Sequence, residues 1–156
     1  MITSIPSTAT APEQYEAARL LFEEYATQLG VDLCFQGFAE ELRQLPAMYG
    51  PPTGALLLVY GADAPVATVG VRRFSADTCE MKRLYVRSFW RKDGLGRKLA
   101  LAAIDLGRRL GYRRMVLDTL QTMSEARALY RSLGFTEIPP YYPNPLPGVS
   151  YLEKSL

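Results

Sequence analysis

A short run of glycines and cations is the part of this sequence best suited to binding a charged ligand. Residues 91–96 read Arg-Lys-Asp-Gly-Leu-Gly, after a strand-like segment and directly before an amphipathic helical pattern. Glycines let the backbone approach an anion, and the free N–H groups and dipole of a helix N-terminus favour negative charge. We therefore expect a phosphate cradle at this point of the chain.

The charge around this loop supports that expectation. Residues 82–98 contain one acid, Asp93, and seven cations, namely Lys82, Arg83, Arg87, Arg91, Lys92, Arg97 and Lys98. Charge-assisted hydrogen bonds to phosphate contribute about 1.5–3 kcal/mol each. The loop lacks the GxxxxGK[ST] pattern of P-loop NTPases, and Leu99 stands where a GxGxxG dinucleotide fingerprint has its third glycine. Neither of those phosphate-binding folds is therefore favoured.

The composition excludes several kinds of catalytic site. The 156 residues include no histidine, which removes Ser-His-Asp and Cys-His nucleophile systems and every histidine-based metal site. The two cysteines, Cys34 and Cys79, are too few for a disulfide framework or a CxxC metal site, so no metal is expected. Proton chemistry must therefore use Glu, Asp, Tyr, Lys, Cys or water.

Net charge is +2, but it is unevenly distributed along the chain. Residues 1–50 hold seven acids against two arginines, so the remaining residues carry a net charge of +7. This division suits an anionic ligand on one part and a cationic ligand on the other, although solvated helix faces explain most of the acids equally well. The modest total argues against nucleic-acid binding.

Length and hydropathy predict one domain spanning residues 1–156 in the cytoplasm. The chain is long enough for a hydrophobic core, and no apolar run approaches the ~18 residues of a membrane-spanning helix. The first residues lack the basic and apolar regions of a signal peptide. We therefore expect no membrane association.

Periodicity and turn residues predict the elements that position the glycine loop. Three strands joined by short turns should be antiparallel, and the strand–helix–strand unit around the loop requires parallel strands. Proline 46 is expected to end the second helix, and residues 122–125 fit a capping box. The predicted strands are 2–9, 55–60, 66–74, 79–86, 115–120, 135–138 and 149–154, and the predicted helices are 12–29, 38–45, 96–110 and 122–133.

Two further motifs give the loop its context. Leu84-Tyr-Val86 precedes it, and residues 130–135 read Tyr-Arg-Ser-Leu-Gly-Phe. With Arg91-x-x-Gly94-x-Gly96 between them, the chain resembles the GNAT superfamily of CoA-dependent N-acyltransferases. The resemblance covers almost the whole chain in the order of its elements. It implies an α+β fold with α/β/α layers, in which a mixed, mostly antiparallel sheet of about seven strands has helices on both faces.

The resemblance also implies how acetyl-CoA is held. Backbone N–H groups of residues 92–97 would bind the pyrophosphate, and Leu84 and Val86 would pair with the pantetheine arm as an added strand. The parallel strands would have to separate after Val86 to hold the cofactor between them. The implied cofactor-binding residues are Leu84, Tyr85, Val86, Arg91, Lys92, Asp93, Gly94, Leu95, Gly96, Arg97, Thr119, Ser124 and Tyr130.

Two residues are candidates for proton transfer. Tyr130 stands where the family often has the tyrosine that protonates the leaving thiolate, although it also lies on the apolar face of its helix. Glu80 lies in a strand expected to be central, where a charge is costly unless it is paired or catalytic. Alternation would place Glu80, Lys82, Leu84 and Val86 on one face, so an ion pair with Lys82 or a role as base explains Glu80 equally well.

The resemblance implies an acceptor site between the first two helices and the C-terminal strands. Its acids and tyrosines would suit a small cationic amine. The implied acceptor-binding residues are Asp32, Phe35, Gln36, Glu80, Tyr141, Tyr142 and Asn144.

The leading expectation is acetyl-CoA-dependent N-acetylation of a small-molecule amine such as an amino acid. A protein or peptide N-acetyltransferase and a non-catalytic acyl-CoA-binding module are the alternatives. The sequence also leaves open whether the chain forms a homodimer.

Overall fold

The computed structural model describes residues 5–30, 32–33 and 37–156. Seven strands form one sheet in the order β1-β2-β3-β4-β5-β7-β6. The strands are β1 Ser7–Thr8, β2 Ala55–Tyr60, β3 Pro65–Arg73, β4 Thr78–Val86, β5 Arg114–Leu120, β6 Thr136–Ile138 and β7 Val149–Ser155. The helices are α1 Pro12–Leu29, α2 Phe38–Arg43, α3 Leu45–Met48, α4 Leu95–Arg109 and α5 Ser124–Ser132, with a 3₁₀ helix at Ser88–Asp93.

The sheet is antiparallel except where β4 pairs with β5. Two hydrophobic cores lie on its opposite faces. One contains Leu57 and Val59 of β2 with Leu99 and Ala103 of α4, and the other contains Leu56 and Leu58 of β2 with α1 and α3. Successive strand residues point to opposite faces, so β2 supplies both cores. The α+β fold with seven strands and helices on both faces is confirmed.

Most predicted elements are present with small shifts of their ends, and helix 12–29 has the predicted bounds. Two predictions about helix ends are wrong. Pro46 does not end the helical region, because it occupies the first turn of α3, where a proline needs no hydrogen-bond partner. Helix α5 is capped by Met123 with no side-chain hydrogen bond, so Thr122 and Glu125 form no capping box.

Strand β4 does not alternate regularly along its length. Thr68 pairs with Tyr85 and Gly70 pairs with Lys82, so β4 has one extra residue at this bulge. Arg83 takes up the change with a φ of 59°. Strict alternation had predicted that Glu80, Lys82, Leu84 and Val86 share one face. Because of the bulge, Glu80 and Lys82 lie on the opposite face from Leu84 and Val86. Leu84 and Val86 join the face that carries Met81 before the bulge.

The parallel strands separate earlier than expected. Hydrogen-bonded pairing of β4 with β5 ends at Glu80 and Val116, whereas the sequence had placed the separation after Val86. Beyond this point β5 continues to pair with β7 as far as Leu120, so only its edge toward β4 opens. The gap exposes the C-terminal half of β4 to a ligand. Within the described residues, no helix is both long and apolar enough to cross a membrane.

Candidate active site

A cavity of about 670 Å³ opens beside the C-terminal end of β4. Its walls come from α1, the end of β4, the glycine loop and α5, so it occupies the gap left by the separated strands. The cavity is lined by Tyr25, Gln28, Leu29, Leu84, Tyr85, Val86, Arg91, Gly94, Gly96, Arg97, Leu120, Thr122, Met123, Ser124, Glu125, Ala126 and Leu129.

The glycine loop forms one end of this cavity. Gly94 precedes α4 with a φ of 72°, a left-handed conformation that is costly for residues with a side chain. A Cβ on Gly96 would only approach Leu129 and Val86, at 3.9 and 4.0 Å. The protein itself therefore has room for a side chain at residue 96, and a glycine there keeps the cavity open to a ligand near the helix N-terminus.

The arginine of the loop is already bonded to the protein. Arg91 Nε donates to the carbonyl oxygen of Val86 at 2.8 Å, and Nη2 donates to Gln28 Oε1 at 2.7 Å. Its guanidinium also lies 5.9 Å from the centre of the Tyr85 ring. Arg91 thus links the glycine loop, β4 and α1, and it occupies the Val86 carbonyl that the sequence had assigned to the pantetheine arm.

Tyr130 lies at the inner side of the gap between the strands. It lines a small cavity of about 30 Å³ with Lys82, Asp118 and Thr119, and this cavity shares Tyr25, Leu84 and Met123 with the large one. Burial raises the pKa of the Tyr130 hydroxyl, and nearby Tyr25 and Asp118 raise it further. The hydroxyl therefore stays protonated at neutral pH and is able to donate a proton.

Glu80 is buried at the centre of the sheet, with 3% of its surface exposed. Its Oε1 accepts a hydrogen bond from Arg72 Nε at 3.0 Å, and its Oε2 accepts one from the Tyr141 hydroxyl at 2.6 Å. The Nζ of Lys82 lies 3.9 Å from Oε2. Each carboxylate oxygen can accept more than one hydrogen bond, so a water molecule or ligand at Glu80 could still donate one to it.

Lys82 and Asp118 face each other where the strand pairing has stopped. The Nζ of Lys82 lies 3.7 Å from Asp118 Oδ1, and the Tyr142 hydroxyl donates to Asp118 Oδ2. Burial lowers the pKa of Lys82, although the charges of Glu80 and Asp118 oppose that change. Asn144 donates through Nδ2 to the Tyr142 hydroxyl at 3.1 Å. A side-chain ion pair thus bridges the strands in place of backbone hydrogen bonds.

A second cavity, of about 500 Å³, opens on the other side of this ion pair. It shares Lys82 with the small cavity beside Tyr130, so Lys82 separates the two large spaces. The second cavity is lined by Ala47, Met48, Thr53, Arg72, Arg73, Phe74, Glu80, Lys82, Tyr141 and Tyr142.

The residues expected to bind the cofactor fall into three groups. Leu84, Tyr85, Val86, Arg91, Gly94, Gly96, Arg97 and Ser124 line the large cavity. Thr119 and Tyr130 line the adjoining small one, whereas Lys92 and Asp93 are exposed, Leu95 is buried in the core, and these three line neither cavity.

The expected acceptor residues are only partly brought together. Glu80, Tyr141 and Tyr142 line the second cavity, and Asn144 is bonded to Tyr142. Asp32 is exposed and lines neither large cavity. Phe35 and Gln36 lie outside the described residues.

Five of the seven acids of residues 1–50 pair with arginines of the same chain. Arg19 pairs with Glu16 and Glu23, and Arg43 pairs with Glu40 on the surface. Glu24 pairs with Arg87 of the cationic stretch, and Glu41 pairs with Arg83 in the interior. These five acids therefore neutralise arginines of the protein itself, and none of them lines the second cavity.

Sequence reasoning missed Arg72 and Asp118 as site residues, although signals for both exist. The short turn between β3 and β4 fixes the antiparallel register, and Arg72 stands directly opposite Glu80 in it. Asp118 is an acid in a strand expected to be buried, the same signal that had singled out Glu80. The register of the β3–β4 hairpin and the search for charges in buried strands would together have identified Arg72 and Asp118 beside Glu80.

Known acetyltransferases match this chain in sequence and in structure. The sequence model of the acetyltransferase (GNAT) family matches residues 15–135. An uncharacterised N-acetyltransferase of Schizosaccharomyces pombe is 40% identical over 148 residues, covering 94% of this chain and 91% of that protein. The N-acetylaspartate synthetase of Danio rerio is 28% identical over 112 residues, covering 70% of this chain and 40% of that protein. The crystal structure of an acetyltransferase from Streptococcus agalactiae superposes with a TM-score of 0.79 at 19% identity, covering 97% of each chain.

Proposed function

Because the chain belongs to the GNAT family of acetyltransferases, we propose that it transfers the acetyl group of acetyl-CoA directly to the primary amine of a small molecule. The observation that carries this proposal is the pair of cavities on either side of Lys82, one beside the glycine loop and one beside Glu80. Both cavities draw on segments from distant parts of the chain, which also favours residues 1–156 acting as a single domain.

The large cavity fits CoA in chemistry and in shape. Residues 92–97 offer backbone N–H groups at the start of the 15-residue α4, where a pyrophosphate is favoured. Arg97 adds a cation at the cavity wall, and its Nη1 bonds Ser132 Oγ at 3.0 Å. The edge of β4 that has lost its partner strand runs from this loop toward Tyr130, and a pantetheine arm would follow that edge.

The catalytic roles follow from the positions of Tyr130 and Glu80. When bound, acetyl-CoA supplies an acetyl group whose C–S bond breaks as the N–C bond to the acceptor amine forms. Glu80 takes the proton that leaves the amine, either directly or through a water molecule. Tyr130, kept protonated by burial, gives its hydroxyl proton to the leaving sulfur.

The second cavity supports a small acceptor rather than a protein surface. Its walls are side chains from α3, the end of β3, the first half of β4, and the proline-rich loop that carries Tyr141 and Tyr142. The name of the Danio rerio relative indicates an amino acid as the acceptor of that protein. We therefore place a small amine, and not a folded protein, at this site.

Thiol release with acetyl-CoA tests the proposed function. The purified full chain is mixed with acetyl-CoA and a panel of amines, amino acids and peptides with a free N-terminus. Turnover of at least one small amine in preference to the peptides is expected. Binding of acetyl-CoA without thiol release for any acceptor would instead indicate a non-catalytic acyl-CoA-binding module.

A matched pair of glycine variants tests the cofactor cradle. Gly94 and Gly111 both have positive φ, and a Cβ on either would meet no atom within 4 Å. Gly94→Ala and Gly111→Ala should therefore cost similar stability, about 1–2 kcal/mol. Only Gly94→Ala should weaken CoA binding in calorimetry. Equal affinities for CoA in the two variants would contradict the cradle.

A further inference from the structure

The second cavity presents hydrogen-bond donors to a ligand more than it presents acceptors. Both oxygens of Glu80 already accept hydrogen bonds from protein donors, and Asp118 is held by Lys82 and Tyr142. Asp118 is also absent from the walls of this cavity. The carboxylates of the cluster are therefore largely satisfied before any ligand arrives.

Arg72 is a cation at this cavity that still has hydrogen-bond donors available for a ligand. It bonds Glu80 through Nε, whereas its two terminal nitrogens form no hydrogen bond with any of the described residues. Its side chain is 22% exposed, compared with 3% for Glu80 and for Lys82. A guanidinium held at Nε presents its outer nitrogens in a fixed plane, which suits a carboxylate. Arg73 adds a second positive charge at the cavity wall.

The position of Arg72 also limits the distance between the amine and the carboxylate of an acceptor. Arg72 pairs with Glu80 in the sheet, and Lys82, where the two cavities meet, lies two residues further along β4. Two residues of a strand span about 7 Å. An amine near Lys82 and a carboxylate at Arg72 would therefore be only a few bonds apart within one small molecule.

An apolar wall stands beside this pair of polar positions. The rings of Phe74 and Tyr141 meet edge to face with centroids 5.1 Å apart, and Met48 lines the same cavity. Phe74 is 46% exposed, so its ring is accessible from the cavity. Such a wall would contact the aliphatic or aromatic part of an acceptor.

We propose that the acceptor is a carboxylate-bearing primary amine of amino-acid size, whose carboxylate is bound by the outer nitrogens of Arg72. This inference rests on the proposed function, because it assigns the second cavity to the acceptor. It narrows the expectation from the sequence, which had left amino acids and simple amines open, to acceptors that carry a carboxylate.

Matched acceptors test this proposal. Full-length protein is assayed with acetyl-CoA and with L-phenylalanine, L-phenylalaninamide and phenethylamine, and with L-leucine and L-leucinamide. The amides have the more reactive amines at neutral pH, since their amino groups have the lower pKa, so reactivity alone favours them. The free acids should nevertheless have the higher kcat/KM, by about 10- to 100-fold, mainly through a lower KM.

Arginine variants separate carboxylate binding from general damage. Arg72→Gln should reduce the preference for acid over amide to about threefold or less, and Arg72→Lys should retain part of it because it keeps the charge. Arg114→Gln is the control, since Arg114 also pairs with a glutamate, Glu153, but lines neither large cavity. It should leave the preference unchanged. Arg72 also contacts Glu80, so its loss should lower kcat for acids and amides alike, and the ratio of kcat/KM for acid to kcat/KM for amide is therefore the decisive measurement.

The outcomes distinguish this proposal from the function on which it rests. If amides, simple amines or peptides are acetylated but the acids are not, the carboxylate proposal is wrong and the acetyltransferase activity stands. An acid preference that survives Arg72→Gln also overturns it. Absence of thiol release with every acceptor, despite bound acetyl-CoA, would overturn the proposed function itself.

Discussion

Two buried glutamates in this protein have nearly the same hydrogen-bond partners but different surroundings. Glu41 accepts two bonds from Arg83, at 3.1 and 2.9 Å, and one from the Tyr49 hydroxyl at 2.9 Å. Glu80 likewise accepts from an arginine and from a tyrosine hydroxyl. Glu41 and Glu80 are 1% and 3% exposed. However, Glu80 lines the second cavity, whereas Glu41 lines neither large cavity.

Burial and pairing alone therefore do not distinguish the carboxylate that we propose as the base from one that only stabilises the fold. Arg83 donates two hydrogen bonds to Glu41, and the two charges neutralise each other. This buried pair therefore holds α2 against β4. Arg72 holds Glu80 with one bond and keeps its outer nitrogens at the cavity. Access to a ligand, rather than the set of partners, separates a structural pair from a reactive one.

Removal of the charge at Glu41 should have the largest effect, on stability. Glu41→Gln would leave the Arg83 guanidinium buried without its counter-charge, which costs about 3–5 kcal/mol. Glu40→Gln is the control, because Glu40 pairs with Arg43 on the surface and should contribute less than about 1 kcal/mol. Urea unfolding measures both. A loss at Glu41 no larger than that at Glu40 would remove the distinction between the interior pair and a surface pair.

Glu80→Gln should affect turnover more than stability. The glutamine keeps the size of the side chain and an oxygen for Arg72, but it cannot take the proton of the amine. We expect kcat/KM to fall about 10²- to 10³-fold with CoA affinity unchanged. The rise of kcat/KM with pH should also disappear. A variant with an unaltered pH profile would place Glu80 with Glu41 among the structural pairs.

More of the residues expected to bind the cofactor line one cavity than of those expected to bind the acceptor. Residues 84–97 are contiguous in the sequence, and Leu84, Gly94 and Gly96 of this segment line the same cavity. The separation of β4 from β5 was misplaced, because it depends on the bulge at Arg83. A bulge shifts the alternation of apolar and polar residues by one position. In β4 this shift cannot be recognised from the sequence, because charged residues already interrupt the alternation.

The acceptor side depends on contacts between distant segments. Tyr141 reaches Glu80 across 61 positions of sequence, and Arg83 reaches Glu41 across 42. Both arginines and both acids could be recognised as charges in elements expected to be buried. The turn between β3 and β4 places Arg72 opposite Glu80, but the contacts of Arg83 with Glu41 and of Tyr141 with Glu80 depend on how α2 and the loop after β6 pack, and no local pattern predicts that packing.

The two tyrosine hydroxyls offer a smaller test of the same contrast. Tyr49→Phe removes a donor from the fully buried Glu41 and should cost about 1–3 kcal/mol of folding free energy. Tyr141→Phe removes a donor from the carboxylate of Glu80 at the second cavity, so it should lower kcat/KM with a smaller loss of stability. Urea unfolding and steady-state rates of both variants are compared. A fall of kcat/KM in Tyr49→Phe as large as that in Tyr141→Phe would contradict the separation of the two networks.

The smallest predicted effect concerns how the stabilisation by an ion pair changes with pH. The response of this stabilisation to salt then distinguishes an interior pair from a surface pair. Burial would raise the pKa of Glu41, but the hydrogen bonds and charge of Arg83 outweigh it and hold that pKa below its usual value. The stabilisation is therefore complete above the pKa of the unfolded chain and is lost as pH falls through the lower, folded-state pKa. The difference in unfolding free energy between the wild type and Glu41→Gln should therefore narrow as pH falls below the usual pKa range of a glutamate.

Glu24 provides the comparison at the surface. It pairs with Arg87, and the two side chains are 38% and 31% exposed, so Glu24→Gln should cost less at neutral pH. Salt at about 1 M shortens the screening length to about 3 Å and should largely remove the Glu24 effect. The Glu41 effect should persist, because ions do not reach its guanidinium partner. If salt reduced both effects equally, the Glu41 pair would be exposed to solvent, and only the cavity would then distinguish it from Glu80.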